Sequence, residues 1–262
     1  MTLTTTLPHR LDRTVLIQAP PATVFRYFTD STRWAKWWGA GSTIDPRAGG
    51  AVYIRHPGNV ESAGEVIEVT PHSRFVFTYG FVSGKPIAAG SSRVTIELRP
   101  EQGGTRLTLT HELDDAAARD EHVQGWRFQL SLFANVVSDE VMANAAAYTD
   151  LWFRAWAEPD AIACRAMLDE IAEADVRFQD RFSNLQGIDD VIPHIMAAQR
   201  FMPGLRLQRT GDVRQCQGTV LAEWTAVGID GQPRGSGTNV FRFGPGGRIE
   251  SVTGLWAPPA AS

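Results

Sequence analysis

The spacing of hydrophobic residues changes twice along the chain, and the order of these changes constrains the fold most strongly. From Ala51 to His111 apolar and polar residues alternate with a period of two, which is typical of antiparallel strands. Turn residues such as Pro57-Gly58 and Gln102-Gly103-Gly104 separate the predicted strands. A helical apolar stripe from Val123 to Val137 follows, and a meander of strands closed by a long helix predicts an α+β domain.

After this stripe the spacing restarts in the opposite order. Three helical segments precede four strands between Leu205 and Trp256, and one further strand is predicted at 175–180. Because the helices come first and the sheet last, the pattern favours two domains of different fold over an internal repeat. The 262 residues suffice for two ordinary domains, which we predict at 1–140 and 141–262, with the boundary near 138–144.

Composition excludes some classes of function. A net charge of −4 without a basic run argues against nucleic acid as a partner, since sequence-independent binding of nucleic acid depends on clustered Lys and Arg. No apolar run approaches the roughly 20 residues of a membrane-spanning helix, and Met1–Arg13 lacks the pattern of a signal peptide. Cys164 and Cys216 lack metal-type spacing and fit a reducing compartment. The sequence therefore predicts a cytoplasmic protein that does not insert into membranes.

We expect neither a metal nor a cofactor. The sequence contains no Gly-rich nucleotide loop, nucleophile elbow or Cys/His cluster. His111-Glu112 starts like a zinc-protease motif, but Asp115 stands where the second histidine belongs.

Five short motifs in the first half occur together in one order. They are Ala19-Pro20-Pro21, Trp34-x-x-Trp37-Trp38-Gly39, Gly64-Glu65-Val66, Thr105-Arg106-Leu107-Thr108-Leu109-Thr110-His111 and His122-x-x-Gly125-Trp126. With them, the segment from Arg13 to Val137 resembles the START-like superfamily, in its heat-shock-protein ATPase-activator-like branch. The resemblance implies a helix-grip fold, in which a sheet wraps around a C-terminal helix and leaves a cavity. Lipid carriers, polyketide aromatase/cyclases and co-chaperone domains share that fold, so it does not fix a function.

The predicted interior of this domain is strongly aromatic. Phe75, Phe77, Tyr79 and Phe81 fall on one face of a strand, because side chains alternate along it. Such an interior suits an apolar ligand that Tyr79, His111 and Trp126 would contact. A collapsed core without a ligand explains the same pattern equally well.

The second half, roughly Ala145 to Trp256, is similar to the nuclear-transport-factor-2-like superfamily. The similarity rests on Asp175-Val176-Arg177-Phe178-Gln179-Asp180, on Gly187-Ile188 and on the stretch from Gly247 to Trp256. Ketosteroid isomerases and SnoaL-type polyketide cyclases belong to this superfamily. The resemblance implies an α+β cone around a pocket for a small molecule.

In that pocket the resemblance places Asp180 at the position of the isomerase base. Val176, Phe178 and Asp180 share one face of the predicted strand, so the carboxylate should point into the cone, where it could remove a proton next to a carbonyl. The isomerases hold the developing enolate with a tyrosine and a protonated aspartic acid. By alignment these positions fall on Trp152 and Asn239, so the base and one donor are retained.

The remaining predicted substrate contacts form the wall of this pocket. They are Trp152, Phe178, Trp224, Phe241 and Trp256. Asp180 also has a structural interpretation, in which it binds backbone groups of a following turn, and a hydrogen-bonded core amide is an equally good interpretation of Asn239.

Three functional hypotheses follow. The first is a cofactor-independent cyclase or isomerase acting on a small apolar, carbonyl-bearing, polyketide-like substrate, with Asp180 as base and Asn239 as donor. The second is a non-catalytic carrier, sensor or resistance protein that binds a hydrophobic small molecule. The third is a co-chaperone-like interaction protein. Both superfamilies often form dimers, so a homodimer through the open sheet face of the second domain is also an option.

Overall fold

A computed structural model describes residues 7–257, in which each part of the chain folds as helices against a large sheet. The chain divides into two compact units, Met1–Ser138 and Asp139–Ser262. Both units combine helices with a mainly antiparallel sheet, which confirms the predicted α+β class. Residues 1–6 and 258–262, which belong to the predicted domains and in part to the segment searched for a signal peptide, lie outside the described residues.

The first unit is built on a seven-stranded antiparallel sheet with the order β1-β7-β6-β5-β4-β3-β2. Its strands are β1 His9–Ile17, β2 Thr43–Ile44, β3 Ala51–Arg55, β4 Glu61–Thr70, β5 Arg74–Tyr79, β6 Ser92–Glu101 and β7 Gly104–Leu113. The register pairs Phe75 with Ile96 and Ile96 with Leu109, so apolar side chains of neighbouring strands meet on one face. A two-residue strand such as β2 has no periodicity, which is why the sequence did not predict it.

Three helices belong to this unit, α1 Pro21–Arg26, α2 Ser31–Trp38 and α3 Ala116–Val141. The Asp30 carboxylate accepts a hydrogen bond from the Arg33 backbone N–H (2.8 Å) and caps α2. The helix ends at Gly39, whose φ of 144° favours glycine. A Cβ at this position would lie 2.3 Å from the Arg55 carbonyl oxygen, so the turn after α2 needs a residue without a side chain.

An aromatic cluster forms the core between α2 and α3. The Phe133 ring lies 4.8 Å from the Trp37 ring and 5.1 Å from the Phe28 ring, measured between centroids. All three side chains are buried. Aromatic rings carry a large apolar area per residue, so this cluster holds α3 against the rest of the unit. It thereby positions Trp126, which lies about two turns earlier in the same helix.

The second unit contains a six-stranded sheet with the order β10-β11-β12-β13-β8-β9. Its elements are α4 Ala145–Ala155, α5 Ala161–Ile171, β8 Ala172–Gln179, β9 Asn184–Gln186, α6 Ile188–Phe201, β10 Arg206–Cys216, β11 Thr219–Val227, β12 Pro233–Phe243 and β13 Ile249–Trp256. Strand β8 runs parallel to β13, while the other neighbours are antiparallel. The order of helices and strands agrees with the sequence-based expectation.

The predicted strand at 175–180 begins earlier than expected and ends one residue before Asp180. The Asp180 backbone N–H donates to the Ser183 carbonyl (2.9 Å), and its carboxylate accepts from the Phe182 backbone N–H (2.8 Å). These bonds start a turn, which ends the ladder after Gln179. The alternation still holds up to that point, because Val176 and Phe178 are buried on the inner face.

Within residues 7–257, none of the helices has the length and apolar character needed to span a bilayer.

Candidate functional site

Asp180 lies at the rim of a small aromatic cavity in the second unit. Its Oδ2 accepts a hydrogen bond from the Trp256 indole N–H (3.1 Å), and its Oδ1 accepts from the Phe182 backbone (2.8 Å). A carboxylate offers about four lone-pair sites, so both oxygens keep capacity for a further partner. The side chain is partly buried. Asp180 therefore makes the turn contact that the structural interpretation expects. It also borders the cavity, as the catalytic interpretation expects.

Asn239 faces the same cavity from the middle of β12. It is buried, with 4% exposure, and its Oδ1 accepts a hydrogen bond from the Trp224 indole N–H (2.9 Å). This bond identifies the amide oxygen and leaves the Nδ2 group free to donate, because that nitrogen has no protein partner within residues 7–257.

Gly254 on β13 brings the two polar side chains together. A Cβ built at this glycine would lie 3.1 Å from the Asp180 Cβ and 3.4 Å from the Asn239 Oδ1. The absence of a side chain therefore opens the space that both residues border. The Trp224 and Trp256 rings, which hold Asn239 and Asp180, pack edge to face with centroids 5.0 Å apart.

The cavity measures about 70 Å³. Its wall is made mainly of apolar side chains, namely Trp156, Phe178, Ala198, Met202, Leu205, Leu207, Trp224 and Trp256, with Gln199, Asp180, Asn239 and Gly254. Three of the predicted wall residues, Phe178, Trp224 and Trp256, therefore border the cavity together with the two predicted catalytic residues.

Two predicted wall residues lie elsewhere. Trp152 and Phe241 are fully buried, pack edge to face with centroids 6.1 Å apart, and do not line the cavity. Trp156, one helical turn after Trp152, borders the cavity in its place, and its buried Nε1 has no hydrogen-bond partner within the described chain. The sequence did not single out Trp156, because α4 ends at Ala155 and the helical spacing stops there.

The first unit contains a larger cavity of about 400 Å³ between α3 and the sheet. Aromatic side chains dominate its wall, which consists of Trp38, His56, Pro57, Tyr79, Phe81, Pro86, Glu121, His122, Gly125, Trp126, Phe128 and Gln129. This volume is within the usual range for small-molecule pockets. Tyr79 and Trp126, two of the three predicted ligand contacts of this unit, lie in this wall.

His111 does not line this cavity and is fully buried beside it. Its Nδ1 accepts a hydrogen bond from the Trp126 indole N–H (3.0 Å), so the ring proton is on Nε2. Nε2 in turn donates to the Ser92 hydroxyl (2.8 Å), which donates to the Tyr79 carbonyl (2.7 Å). Burial, together with the charge of His122, lowers the pKa of His111 to about 3. His111 therefore acts as a neutral bridge that holds Trp126 in place.

His122 also lines the cavity. Its Nδ1 donates to the Ala118 carbonyl one turn earlier in α3 (2.7 Å), and its ring lies 5.0 Å from that of His111. The Nε2 of His122 and the indole N–H of Trp38 are both buried without a partner within residues 7–257.

A second hydrogen-bond chain reaches the same cavity from β3 and β4. The His56 Nε2 lies 2.9 Å from the Ser62 Oγ, and the Ser62 hydroxyl donates to the Tyr79 Oη (3.3 Å). Burial lowers the pKa of His56 and raises the pKa of Tyr79 to about 12, so both side chains are neutral at pH 7. His56 and Ser62 flank the turn at Pro57–Asn59, and this hairpin is the signal by which the sequence could have paired them.

No group of three or more His, Cys, Asp or Glu side chains within residues 7–257 is arranged to hold a metal ion.

Comparisons with known proteins support the family resemblance of the first half of the chain. Residues 18–138 match the family described as "Activator of Hsp90 ATPase homolog 1-like protein", which confirms the resemblance predicted for the first half. No curated protein matches the sequence.

Several solved structures resemble parts of the chain. A SnoaL-like family protein from Agrobacterium tumefaciens is 23% identical, with 45% of this chain and 100% of that chain covered and a TM-score of 0.43. An AHSA1-like protein from Rhizobium etli is 30% identical, with 50% and 84% covered and a TM-score of 0.41. CalU16 from Micromonospora echinospora is 26% identical, with 51% and 79% covered and a TM-score of 0.41.

Proposed function

We propose that the second unit is a cofactor-independent acid/base site that removes and returns a proton next to the carbonyl of a small apolar, polyketide-like molecule, as a cyclase or isomerase does. The observation that carries this proposal is the meeting of Asp180 and Asn239 around Gly254 in an aromatic cavity. One residue offers a proton acceptor and the other a hydrogen-bond donor, which are the two groups that enolisation requires.

In the proposed reaction a carboxylate oxygen of Asp180 takes the proton from the carbon next to the carbonyl. The electron pair of the broken C–H bond forms a C=C bond, and the carbonyl oxygen gains negative charge. The Nδ2 group of Asn239 donates a hydrogen bond to that oxygen. The proton then returns from Asp180 to carbon, or the enolate carbon attacks a second carbonyl of the same molecule. In the second case the new C–C bond closes a ring, the first carbonyl re-forms, the π bond of the second carbonyl breaks, and its oxygen takes the proton from Asp180.

The surrounding tryptophans position both groups. Trp224 holds the amide oxygen of Asn239, so the amide cannot turn its oxygen towards an enolate without losing this bond. Trp256 holds Asp180 from the other side. The tyrosine hydroxyl of the isomerases has no counterpart at Trp152, which lies in the core. With one donor fewer than the isomerases, the site favours substrates whose C–H bond is already acidic, such as 1,3-dicarbonyl and aryl-substituted ketones.

The size of the cavity restricts how a substrate enters. A volume of about 70 Å³ is below the usual range of ligand pockets, so only the reacting end of a substrate fits without rearrangement. Met202 lines the cavity and is 46% exposed. Its flexible thioether side chain is the group whose displacement would enlarge the entrance.

The experiment that tests this proposal is deuterium exchange at the acidic α-carbon of 2-tetralone in D₂O, followed by ¹H NMR. The wild-type chain should accelerate exchange above the buffer rate. Asp180→Asn should reduce the enzymatic part by about 10² to 10⁴-fold, which is the usual contribution of a general base. Asp175→Asn is the matched control, because Asp175 lies on β8, the strand that leads to Asp180, and is exposed. Equal exchange with wild type and Asp180→Asn would refute the proposal.

The first unit favours a second candidate function, the binding of a hydrophobic small molecule without chemical change. Its cavity of about 400 Å³ is aromatic, and Phe128 is 69% exposed on its wall. Such an arrangement suits a carrier, sensor or resistance protein. Native mass spectrometry of the chain purified from cells tests it: a retained compound with the mass of the free compound supports binding, and a converted compound argues against it.

Two further proposals concern the protein in the cell. We place it in the cytoplasm, which fractionation of cells producing the chain would test. We also propose a homodimer through the outer sheet face of the second unit, which light scattering during size-exclusion chromatography would test.

A further inference from the structure

Two side chains in the wall of the first cavity carry a polar atom that has no partner within the part of the chain that the structure describes. Trp38 and His122 both line the cavity, and the Trp38 Nε1 and the His122 Nε2 are buried without a hydrogen bond. Trp38 is 6% exposed, so bulk water does not reach its ring. Buried polar atoms without a partner are rare in folded proteins. Both atoms therefore mark a place where a bound molecule would supply the partners.

The hydrogen-bonding role of each atom is fixed by its chemistry. An indole nitrogen always carries a proton and can only donate. The His122 Nδ1 lies 2.7 Å from the Ala118 carbonyl oxygen, which can only accept, so Nδ1 carries the ring proton. In the neutral imidazole the Nε2 is then an acceptor. The wall therefore presents one unused donor, on Trp38, and one unused acceptor, on His122.

The orientation of the His122 ring turns its acceptor away from α3. Nδ1 faces the helix backbone, so Nε2 lies on the other side of the ring. The ring centroid is 6.0 Å from that of Tyr79 and 6.0 Å from that of Phe81, and both of these residues also line the cavity. The nearby His111 cannot satisfy the Nε2, because both of its own ring nitrogens are bound.

The unused donor and acceptor restrict the chemistry of a ligand. A hydrocarbon would satisfy neither atom, and a ketone or an ether would satisfy Trp38 but offer no donor to His122. Among the described residues of the wall there is no Lys or Arg, and the one carboxylate is Glu121, so an anion would meet like charge without a matching cation. An ammonium group has no acceptor for Trp38. A neutral molecule with both a donor and an acceptor, such as a phenol, satisfies both atoms.

We infer that the cavity of the first unit binds neutral, mainly aromatic molecules that donate a hydrogen bond to the His122 Nε2 and accept one from the Trp38 indole N–H. The aromatic body follows from the wall, in which rings such as those of Tyr79 and Trp126 dominate. This inference rests on the second candidate function, the binding of a small apolar molecule in this cavity. It adds the chemical class of the ligand and the two side chains that recognise it.

The test compares three probes that share one ring system, by equilibrium dialysis at pH 7. They are 2-naphthol, a donor and acceptor, 2-methoxynaphthalene, an acceptor only, and naphthalene, which is neither. Wild type should bind 2-naphthol at least about fivefold more tightly than either other probe, because the other two leave a buried group unpaired. Apolar burial alone predicts the reverse order, since 2-naphthol is the least hydrophobic of the three.

The variants assign this preference to the two side chains. His122→Phe should abolish the preference for 2-naphthol over 2-methoxynaphthalene, and Trp38→Phe should abolish the preference for 2-methoxynaphthalene over naphthalene. His122→Gln, whose amide oxygen can accept, should retain part of the preference for 2-naphthol. His9→Phe is the matched control, since His9 lies on β1 and does not line the cavity.

The outcomes separate the binding function from the inference. If wild type binds none of the probes, or if Gly125→Leu, which places a larger side chain in the cavity wall, binds them equally well, both are wrong. If wild type binds all three probes equally or in the reverse order, or if His122→Phe keeps the preference for 2-naphthol, only the inference is wrong. Tighter binding of 2-naphthoate than of 2-naphthol would also overturn it, because the ligand would then be an anion. The order of the probes in wild type decides even where a variant fails to fold.

Discussion

The two units surround their cavities with similar aromatic walls but treat their polar groups differently. In the first unit both ring nitrogens of His111 are bound, one by Trp126 and the other by Ser92. In the second unit each oxygen of Asp180 has one partner and retains a free lone pair. The comparison teaches that an aromatic cavity with a titratable neighbour does not by itself indicate chemistry. Asp180 differs from His111 in that it borders its cavity with a free lone pair and faces a hydrogen-bond donor, Asn239, across it.

After Asp180, the largest effect on this difference between the units is expected at Asn239. Asn239→Leu removes the donor to the enolate and leaves the Trp224 N–H without a partner. Loss of one such donor typically costs about 10² to 10³-fold in rate. We expect a decrease of this size in 2-tetralone exchange, measured by NMR. Asn239→Asp retains the acceptor for the Trp224 N–H. This variant therefore separates the loss of the enolate donor from the loss of the Trp224 hydrogen bond. A rate within twofold of wild type for Asn239→Leu would exclude a role for the amide.

The second effect concerns the pH dependence of stability in the first unit. Because the folded pKa of His111, about 3, is below the unfolded value of 6.5, the unfolded chain binds its proton first as the pH falls. The contribution of His111 to stability is fully present above pH 6.5 and is lost progressively down to pH 3. The free energy of unfolding should fall by about 2 to 3 kcal/mol between pH 7 and 4.5 from this residue alone.

Hydrogen exchange of peptides from β7, measured against urea concentration, reports unfolding of this unit. His111→Gln should remove the His111 part of the pH dependence. His72→Asn serves as the control, because His72 is exposed and its φ of 62° is a value that Asn tolerates. If the free energy of unfolding depends on pH equally in wild type and His111→Gln, then His111 is not the neutral bridge described above.

The third effect tests the space between Asp180 and Asn239. Gly254→Ala places a Cβ 3.1 Å from the Asp180 Cβ, closer than ordinary contact, and overpacking of this kind costs about 1 to 3 kcal/mol. We expect a lower midpoint of thermal unfolding and slower 2-tetralone exchange. Gly246→Ala is the control, since the nearest atom to its Cβ would be 4.0 Å away. An unchanged exchange rate in Gly254→Ala would separate Gly254 from the site.

The smallest effect is expected at Gly125, within α3. Gly125→Ala adds a methyl group that meets no atom within 4 Å and replaces glycine in a helix. The free energy of unfolding should rise by about 0.5 to 1 kcal/mol, measured by urea denaturation. A decrease would indicate that the cavity wall at this position is tighter than the structure shows.

Much of the fold could be predicted from hydrophobic spacing, because each long element buries one face. The strand at Ile249–Trp256 and the helix starting at Ile188 lie where the spacing placed them. The site was less predictable. Phe241 and Asn239 share a strand face, yet only Asn239 borders the cavity, since Phe241 is covered by Trp152. Spacing identifies the inner face of a strand but does not say which inner residues meet empty space.

The residues that the sequence did not single out have a common physical property. His56, Ser62 and Trp156 lie at element ends, where a turn rather than a period determines the direction of the side chain. His122 lies in a helix, but its role depends on the cavity beneath it. The hydrogen bond between the His56 and Ser62 side chains crosses a hairpin, so it follows from the geometry of the turn and not from hydrophobic spacing.

The central claim is that the second unit moves protons while the first unit only binds. The most direct test is the rate of 2-tetralone deuterium exchange in the full chain carrying either Asp180→Asn or Gly125→Leu. We expect Asp180→Asn to lower the enzymatic rate by about 10² to 10⁴-fold, whereas a leucine in the wall of the first cavity (Gly125→Leu) should leave the rate within twofold of wild type. Exchange that survives Asp180→Asn, or that disappears in Gly125→Leu, would contradict this division between the two units.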